Sequence, residues 1–222
     1  MNFKVVEKFV SVNGEGLKSG ELSIFIRFAG CNLRCSYCDT MWANKDNVKF
    51  TLMNENEIHD YIKDTGVKNV TLTGGEPLLQ NNLEALIDIL CEDDDIEVEI
   101  ETNGSISLKE YNKNRHESLS FTMDYKLDSS NMEDKMCLDN FNHLTSNDTV
   151  KFVVGSTIDL NKTKTLIDKY ELINKCHVYL SPVYNQIDME EIVEFMKKNK
   201  MNKVRLQMQL HKIIWDKDER GV

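Results

Sequence analysis

A chain of 222 residues with 41% hydrophobic side chains can bury a sizeable core, and it reads as a single domain over residues 1–222. Its formal charge of −10 excludes a nucleic-acid binder, which needs clustered Lys and Arg to neutralise phosphates. The start, Met-Asn-Phe-Lys-Val-Val-Glu-Lys, lacks the apolar run of a signal peptide or membrane helix. A cytoplasmic protein with no membrane partner is therefore expected, its six cysteines serving as metal ligands or free thiols before disulfides.

In chain order, residues 3–12 alternate weakly and read as an extended lead-in. In Ser11-Val-Asn-Gly-Glu-Gly16, two glycines permit a tight turn and close approach of backbone to a ligand. Ser23–Phe28 is rich in β-formers, and Arg27 stands there among apolar neighbours. An arginine so placed is costly unless paired, either with a neighbouring acid or with an anionic ligand. Next comes Gly30-Cys-Asn-Leu-Arg-Cys-Ser-Tyr-Cys-Asp39, which sets Cys31, Cys35 and Cys38 on one tight loop. A four-iron cubane is ordinarily held by four thiolates, so three leave one iron open to a small chelating molecule. A structural zinc site wants four ligands, usually as two pairs, and no second pair is present. Three unligated thiols are the remaining reading. Cys91, Cys137 and Cys176 read as small packed hydrophobes, with a fourth cluster ligand as the alternative.

Further on, Glu55–Asp64 reads as a helix with Ile58, Tyr61 and Ile62 on one side. The strand Asn69–Thr73 runs into Gly74-Gly75-Glu76-Pro77, and Leu83, Leu86, Ile87 and Leu90 then recur at helical spacing. Strand Ile96–Glu101 ends in Thr102-Asn103-Gly104, while the polar stretch Ser105–Ser118 carries no clear pattern. Ser120–Tyr125 is a strand ending at Lys126, and Cys137, Phe141 and Leu144 predict a short helix. Val150–Val154 (strand), Ile158–Tyr170 (helix) and His177–Leu180 (strand, stopping at Ser181-Pro182) follow. A helical stripe at Met189, Ile192, Val193 and Met196 precedes the last strand, Lys203–Met208, and the segment His211–Trp215. This alternation predicts an α/β fold of parallel βα units. About six strands cannot close an eight-stranded barrel, so an open, partial (β/α) barrel is expected. Such arrays carry their sites on loops after the strand carboxyl ends, and Cys31, Gly74, Thr102, Lys126 and Ser181 all fall there.

The three-cysteine loop resembles that of the radical S-adenosylmethionine (SAM) enzymes. The resemblance implies a 4Fe–4S cluster on Cys31, Cys35 and Cys38, capped by the methionyl amino and carboxylate groups of SAM. One electron then breaks a carbon–sulfur bond and frees a 5'-deoxyadenosyl radical. Gly74–Pro77 is similar to the family's SAM motif, with glycine backbone and Glu76 accepting from the amino group. By the same resemblance Tyr37 lies near the adenine, and Cys38 and Asp39 are further cofactor contacts. Gly75, Thr102, Asn103, Asp124, Tyr125, Lys126, Ser181, Pro182, Val183 and Tyr184 complete the implied SAM contacts. A plain turn at Asn103-Gly104 stays open.

Val12–Gly16, Arg27, Cys31–Thr40, Leu72–Pro77 and Gln209–Lys212 together resemble the 7-carboxy-7-deazaguanine synthases, a family with a trimmed radical SAM fold. That implies ring contraction of 6-carboxy-5,6,7,8-tetrahydropterin to 7-carboxy-7-deazaguanine, with loss of ammonia and regeneration of SAM, on the route to queuosine. The implied substrate contacts are Val12, Asn13, Gly14, Glu15, Arg27, Thr73 and His211, and Thr40 is the implied ligand to Mg2+. From the residues alone, Thr40 could cap the following turn and His211 could be a core histidine. Asn13 stands where better-known members carry Gln. Some members close the site with a terminal carboxylate soon after the His-Lys pair, whereas this chain continues from Ile213 to Val222, so Val222 is given no such role. A flavodoxin or ferredoxin donor and a homodimer are expected, and no protein acid or base is assigned. The rivals are a glycyl-radical activating enzyme acting on a partner protein and a non-catalytic Fe–S electron-transfer module. The latter would use four protein ligands and need no SAM motif.

Overall fold

Several runs of this chain alternate apolar and polar side chains: Val70-Thr-Leu-Thr73, Val98-Glu-Ile-Glu101, Phe121-Thr-Met-Asp124 and Val150-Lys-Phe152. Successive side chains on a strand point to opposite faces, so a sheet of such strands has one oily face and one polar face. The computed structural model describes residues 2–113, 115–216 and 219–222, and among these it forms a nine-stranded sheet. The strands are β1 (Phe3–Val12), β2 (Leu22–Phe28), β3 (Thr51–Met53), β4 (Asn69–Gly74), β5 (Glu97–Thr102), β6 (Leu119–Lys126), β7 (Thr149–Val154), β8 (His177–Pro182) and β9 (Val204–Leu206). Their order is β3-β1-β2-β4-β5-β6-β7-β8-β9. From β2 through β9 the neighbours pair in parallel, whereas β1 is antiparallel to β2 and β3 antiparallel to β1. The expected open α/β array is present, with an antiparallel edge pair added.

Helices α1 (Glu55–Thr65), α2 (Leu83–Cys91), α3 (Thr157–Tyr170) and α4 (Met189–Lys198) cover the oily face. Ile58, Ile62, Leu86, Leu90, Leu160, Leu166 and Ile192 bury themselves against Ile26, Leu72, Ile100, Phe121, Phe152 and Leu180. Local chemistry sets the helix ends. Asn54 and Glu57 form a reciprocal capping box at the start of α1, and Gly66 ends it at φ 69°.

The polar face is curled into a cup. The loop after β1 shows the curvature: Asn13 Nδ2 donates to Glu99 of β5 at 3.0 Å, Glu15 pairs with Lys151 of β7, and Gly14 O accepts from Leu210 N beyond β9 at 3.2 Å. Because β1 runs against β2, with Val12 opposite Leu22, this loop enters the cup from the amino-terminal ends of the parallel strands and forms its floor.

Three details depart from expectation, and a fourth concerns a stretch for which none was drawn. β3 was not anticipated, and β9 stops at Leu206, two residues before the expected end. The segment carrying Cys137 and Phe141 forms the 3-10 turn Leu138–Asn142 in place of a helix, and the described residues of 105–118 hold only the 3-10 turn Glu110–Asn112. Both follow from buried Asn140, whose amide donates to Gly104 O at 3.1 Å and Ile106 O at 2.8 Å and accepts from Leu108 N at 2.9 Å. These tertiary bonds order a loop with no periodic pattern of its own. Among the described residues no helix is long and apolar enough to cross a membrane.

Candidate active site

The cysteine loop leaves β2 at the carboxyl end of the sheet and is anchored by buried Leu33. Ser36 ties it to the loop after β6, donating from N to Ser130 O at 3.1 Å and from Oγ to Ser129 O at 2.6 Å. Leu33 N and Asn103 Nδ2 point at Cys31 Sγ, at 3.4 and 3.5 Å. Burial pushes the Cys31 and Cys35 thiols up, and Lys126 pulls Cys35 the other way. Iron binds thiolates and displaces these protons. Amide donors at one sulfur and a lysine facing another suit an anionic thiolate cluster, so the residues present fit a 4Fe–4S group. Among the described residues no three His, Cys, Asp or Glu side chains converge on a single-metal site. Each thiolate of a cubane binds its own iron and requires no such convergence. Cys91 ends α2 and Cys176 precedes β8, both at the opposite end of the strands. Cys137 lies nearer, its N donating to Gly104 O at 3.0 Å.

Gly74 and Gly75 are required first by packing. A Cβ on Gly75 would lie 1.9 Å from Gly30 O, and one on Gly74, at φ +144°, 2.4 Å from Phe28 O. Their absence lets Gly75 N and Glu76 N bond to Phe28 O and Gly30 O, at 3.1 and 2.8 Å, so β4 exits against the root of the cysteine loop. Glu76 is fully enclosed. It accepts from Leu78 N at 3.0 Å, Thr102 Oγ1 at 2.8 Å and Asn103 N at 2.7 Å. With three of about four acceptor positions filled, it braces β4 to β5. Burial still pushes its carboxyl up to about 7. Asn103 passes this brace to Cys31, which gives the Asn103-Gly104 turn a second task.

At the end of β6, Asp124 and Lys126 pair at 3.0 Å, and Lys126 Nζ stands 6.0 Å from the Tyr37 ring. Tyr37 Oη is buried with no hydrogen-bond partner among the described residues, and its pKa is pushed up to about 12 by burial. Tyr125 faces away from the cup. It points to the oily face, 2% exposed and stacked on Phe141 at 5.3 Å, leaving only its backbone for a ligand. Parity on the strand is the reason: Asp124 and Lys126 face the cup and Tyr125 does not. On β8, Ser181 is buried, Val183 N bonds to Val154 O at 2.8 Å, and exposed Tyr184 lies under Lys212 at 5.5 Å.

Within the cup, Arg27 Nε pairs with Glu7 at 3.0 Å, so the ion-pair alternative is present. Its Nη atoms make no hydrogen bond among the described residues. Thr73, in register with Arg27, donates to Glu101 at 2.7 Å. Burial pushes Glu101 up to about 7 against the pull of Lys151. Asn13 uses its amide on Glu99 and on Glu15 N (3.2 Å), holding the floor turn. A Cβ at Gly14 would stand 3.3 Å from His211 Nδ1. His211 opens the short helix α5 (His211–Ile214), and burial lowers its pKa while Glu15 and Asp39 pull it up. Thr40 precedes the 3-10 turn Met41–Asn44 yet makes no side-chain cap, and its hydroxyl is 3.7 Å from Cys38 Sγ. A separate cavity of about 260 Å3, lined by Leu17, Lys18, Glu97, Thr149 and His177, opens at the strand amino ends, beyond the floor.

Sequence reasoning missed Glu99, Glu101 and Lys151. The available signal was period-two polarity in strands otherwise read as parallel, because parallel strands covered on both faces are continuously apolar.

The Radical SAM superfamily model matches residues 25–153. A 7-carboxy-7-deazaguanine synthase of Clostridium acetobutylicum is 59% identical over 222 residues, covering 100% of both chains. One from Chlorobaculum tepidum is 33% identical over 98% of this chain and 96% of its own. The crystal structure of QueE from Escherichia coli superposes with a TM-score of 0.75 over 94% of each chain at 22% identity, a likeness of fold. With the cysteine loop and the Glu76 brace at the same strand ends, these findings place the chain in the radical SAM superfamily and, within it, in the 7-carboxy-7-deazaguanine synthase family.

Proposed function

We infer that this chain catalyses the radical SAM- and Mg2+-dependent ring contraction of 6-carboxy-5,6,7,8-tetrahydropterin to 7-carboxy-7-deazaguanine with release of ammonia, a deazapurine-forming step of the queuosine route. The observation that carries it is the convergence of the cysteine loop, the Glu76 brace and a charged cup at one end of the sheet. When bound, the cluster and SAM supply the one-electron chemistry that starts the reaction, and Mg2+ supplies a hard cation for carboxylate oxygens.

The residue roles are part of the proposal. Cys31, Cys35 and Cys38 hold the cluster, with Asn103 steadying Cys31. Glu76 keeps Thr102 and Asn103 aimed at SAM, which also meets Tyr37, Asp124, Lys126, Ser181 and the backbone of Pro182–Tyr184. Arg27 directs its terminal nitrogens at the pterin carboxylate, and Thr40 offers an oxygen to Mg2+ from the cluster side. Gly14, Glu15, Thr73 and His211 line the pterin. Glu101, its carboxyl pushed up to about 7 by burial, is a cup carboxyl able to hold a proton near neutral pH. We also propose that residues 1–222 act as one domain, supported by one continuous sheet. A reducing, cytoplasmic setting is supported by six unpaired cysteines. A flavodoxin or ferredoxin as donor and a homodimer complete the reading.

Anaerobic reconstitution followed by dithionite, SAM and the carboxytetrahydropterin tests it. The deazaguanine product and ammonia are expected in equal amounts. Reductive cleavage of SAM with the pterin left intact would overturn the assignment and favour activation of a protein partner.

A further inference from the structure

Lys151 sits third in β7 with 7% of its surface exposed, and its ammonium reaches two carboxylates from different parts of the cup. One is Asp124 of β6, 2.9 Å away; the other is Glu15 on the floor loop. Both pairs continue outward. Asp124 also takes Lys126 at 3.0 Å. Glu15 accepts from Gln209 Nε2 at 2.6 Å, and Gln209 Oε1 accepts from Lys212 at 2.5 Å. Charges therefore alternate from the end of β6, across the cup, to the segment after β9.

A buried ammonium is costly unless paired. Here the attraction of Asp124, Glu15 and Glu101 outweighs burial and raises the pKa well above the ordinary lysine value. Lys151 is thus a fixed cation with three N–H donors. Asp124 and Glu15 share no hydrogen bond among the described residues, and Lys151 is the group that touches both.

We propose that Lys151 is a positioning residue that couples the two ligand half-sites, holding Glu15 for the pterin and Asp124 for SAM with one ammonium group. This rests on the placement of pterin at Gly14–Glu15 and of SAM at Asp124–Lys126 given above. A ligand that orders one carboxylate orders the ammonium, and with it the other carboxylate. Such coupling is reciprocal, so each ligand tightens the other. Its use is to hold SAM in its reactive pose only when substrate is loaded.

The test uses holoenzyme with the cluster oxidised, so that no turnover occurs. SAM Kd is measured by equilibrium dialysis with and without saturating carboxytetrahydropterin. Wild type is expected to bind SAM at least about fivefold tighter with the pterin present. In Lys151→Met that ratio falls to about one and the KM for pterin rises about tenfold, with iron content unchanged. Lys151→Arg restores part of the ratio. An unchanged ratio in Lys151→Met, or a wild-type ratio of one, overturns the proposal. The underlying placement fails separately if Glu15→Gln leaves the pterin KM unaltered. Should Lys151→Met not fold, Asp124→Asn decides: a raised pterin KM supports the coupling, and an effect confined to SAM Kd overturns it.

Discussion

Arg27 and Glu101 face the same cup from opposite sides of Thr73 and carry opposite roles there. Arg27 commits Nε to Glu7 and keeps its terminal nitrogens for a ligand. A charge-assisted bond of that kind contributes roughly 1.5–3 kcal/mol. Arg27→Ala is therefore expected to lower kcat/KM for the pterin about ten- to a hundredfold, with iron content and SAM affinity unchanged. Arg27→Lys should recover only part, since a point charge lacks the planar fork. Loss of the cluster or of folding in Arg27→Ala would reduce the residue to its pair with Glu7. Glu101 leads to a pH prediction. Its folded carboxyl is pushed up from 4.5 to about 7. As pH rises from about 4.5 to 7, the unfolded chain loses this proton while the folded one keeps it, so stability falls across that window and is flat above it. The stability of wild type relative to Glu101→Gln should therefore fall as pH rises through that window, by about 3 kcal/mol in total. A pH-independent difference would contradict this.

At the scale of elements, β4 and β2 are joined by a contact that only glycine permits. Placing a Cβ 1.9 Å from Gly30 O forces the Gly74–Pro77 turn and the cysteine loop apart. Gly75→Ala should cost about 3 kcal/mol or more and leave reconstituted iron well below that of wild type, read by unfolding and iron assay. Gly66→Ala is the control. It has a positive φ (69°), which Gly75 does not, but open space around it, so the backbone strain alone should cost about 1 kcal/mol and the variant keep its iron. Equal iron in the two variants would show that the turn is not tied to the cluster loop as described.

For the molecule as a whole, polarity along the strands separates two ends. The carboxyl end gathers Cys31, Cys35, Cys38, Glu76, Asn103 and Lys126, while Cys91 and Cys176 lie at the amino end. Replacing any one of Cys31, Cys35 or Cys38 by Ala should abolish cluster absorbance. Cys91→Ala, Cys137→Ala and Cys176→Ala should each retain about four irons per chain. Cys137 is the stringent case, because its backbone reaches Gly104 on the cluster side. Cluster loss there would mean a fourth protein ligand and no open iron for SAM.

Much of this was local and therefore legible in the amino-acid sequence. Cys-x3-Cys-x2-Cys closes its own loop, helical stripes of Leu and Ile declare their buried faces, and Gly-Gly-Glu-Pro marks a strand end. The alternation of strand and helix then implied the parallel sheet and the end at which its chemistry lies. What the sequence could not state were relations between distant segments. The floor loop enters from the opposite end because β1 runs antiparallel to β2, a pairing that periodicity does not specify. Tyr125 looks like its neighbours Asp124 and Lys126 until strand register turns it to the core. Arg27 has Glu7, Glu76 has Asn103, and Lys151 has both Asp124 and Glu15. Each partnership depends on where a curled sheet brings side chains together. Neighbours then decide what burial does to their charge: burial raises the Glu101 carboxyl toward neutrality, whereas Lys151 stays ionised because the attraction of the carboxylates around it outweighs burial.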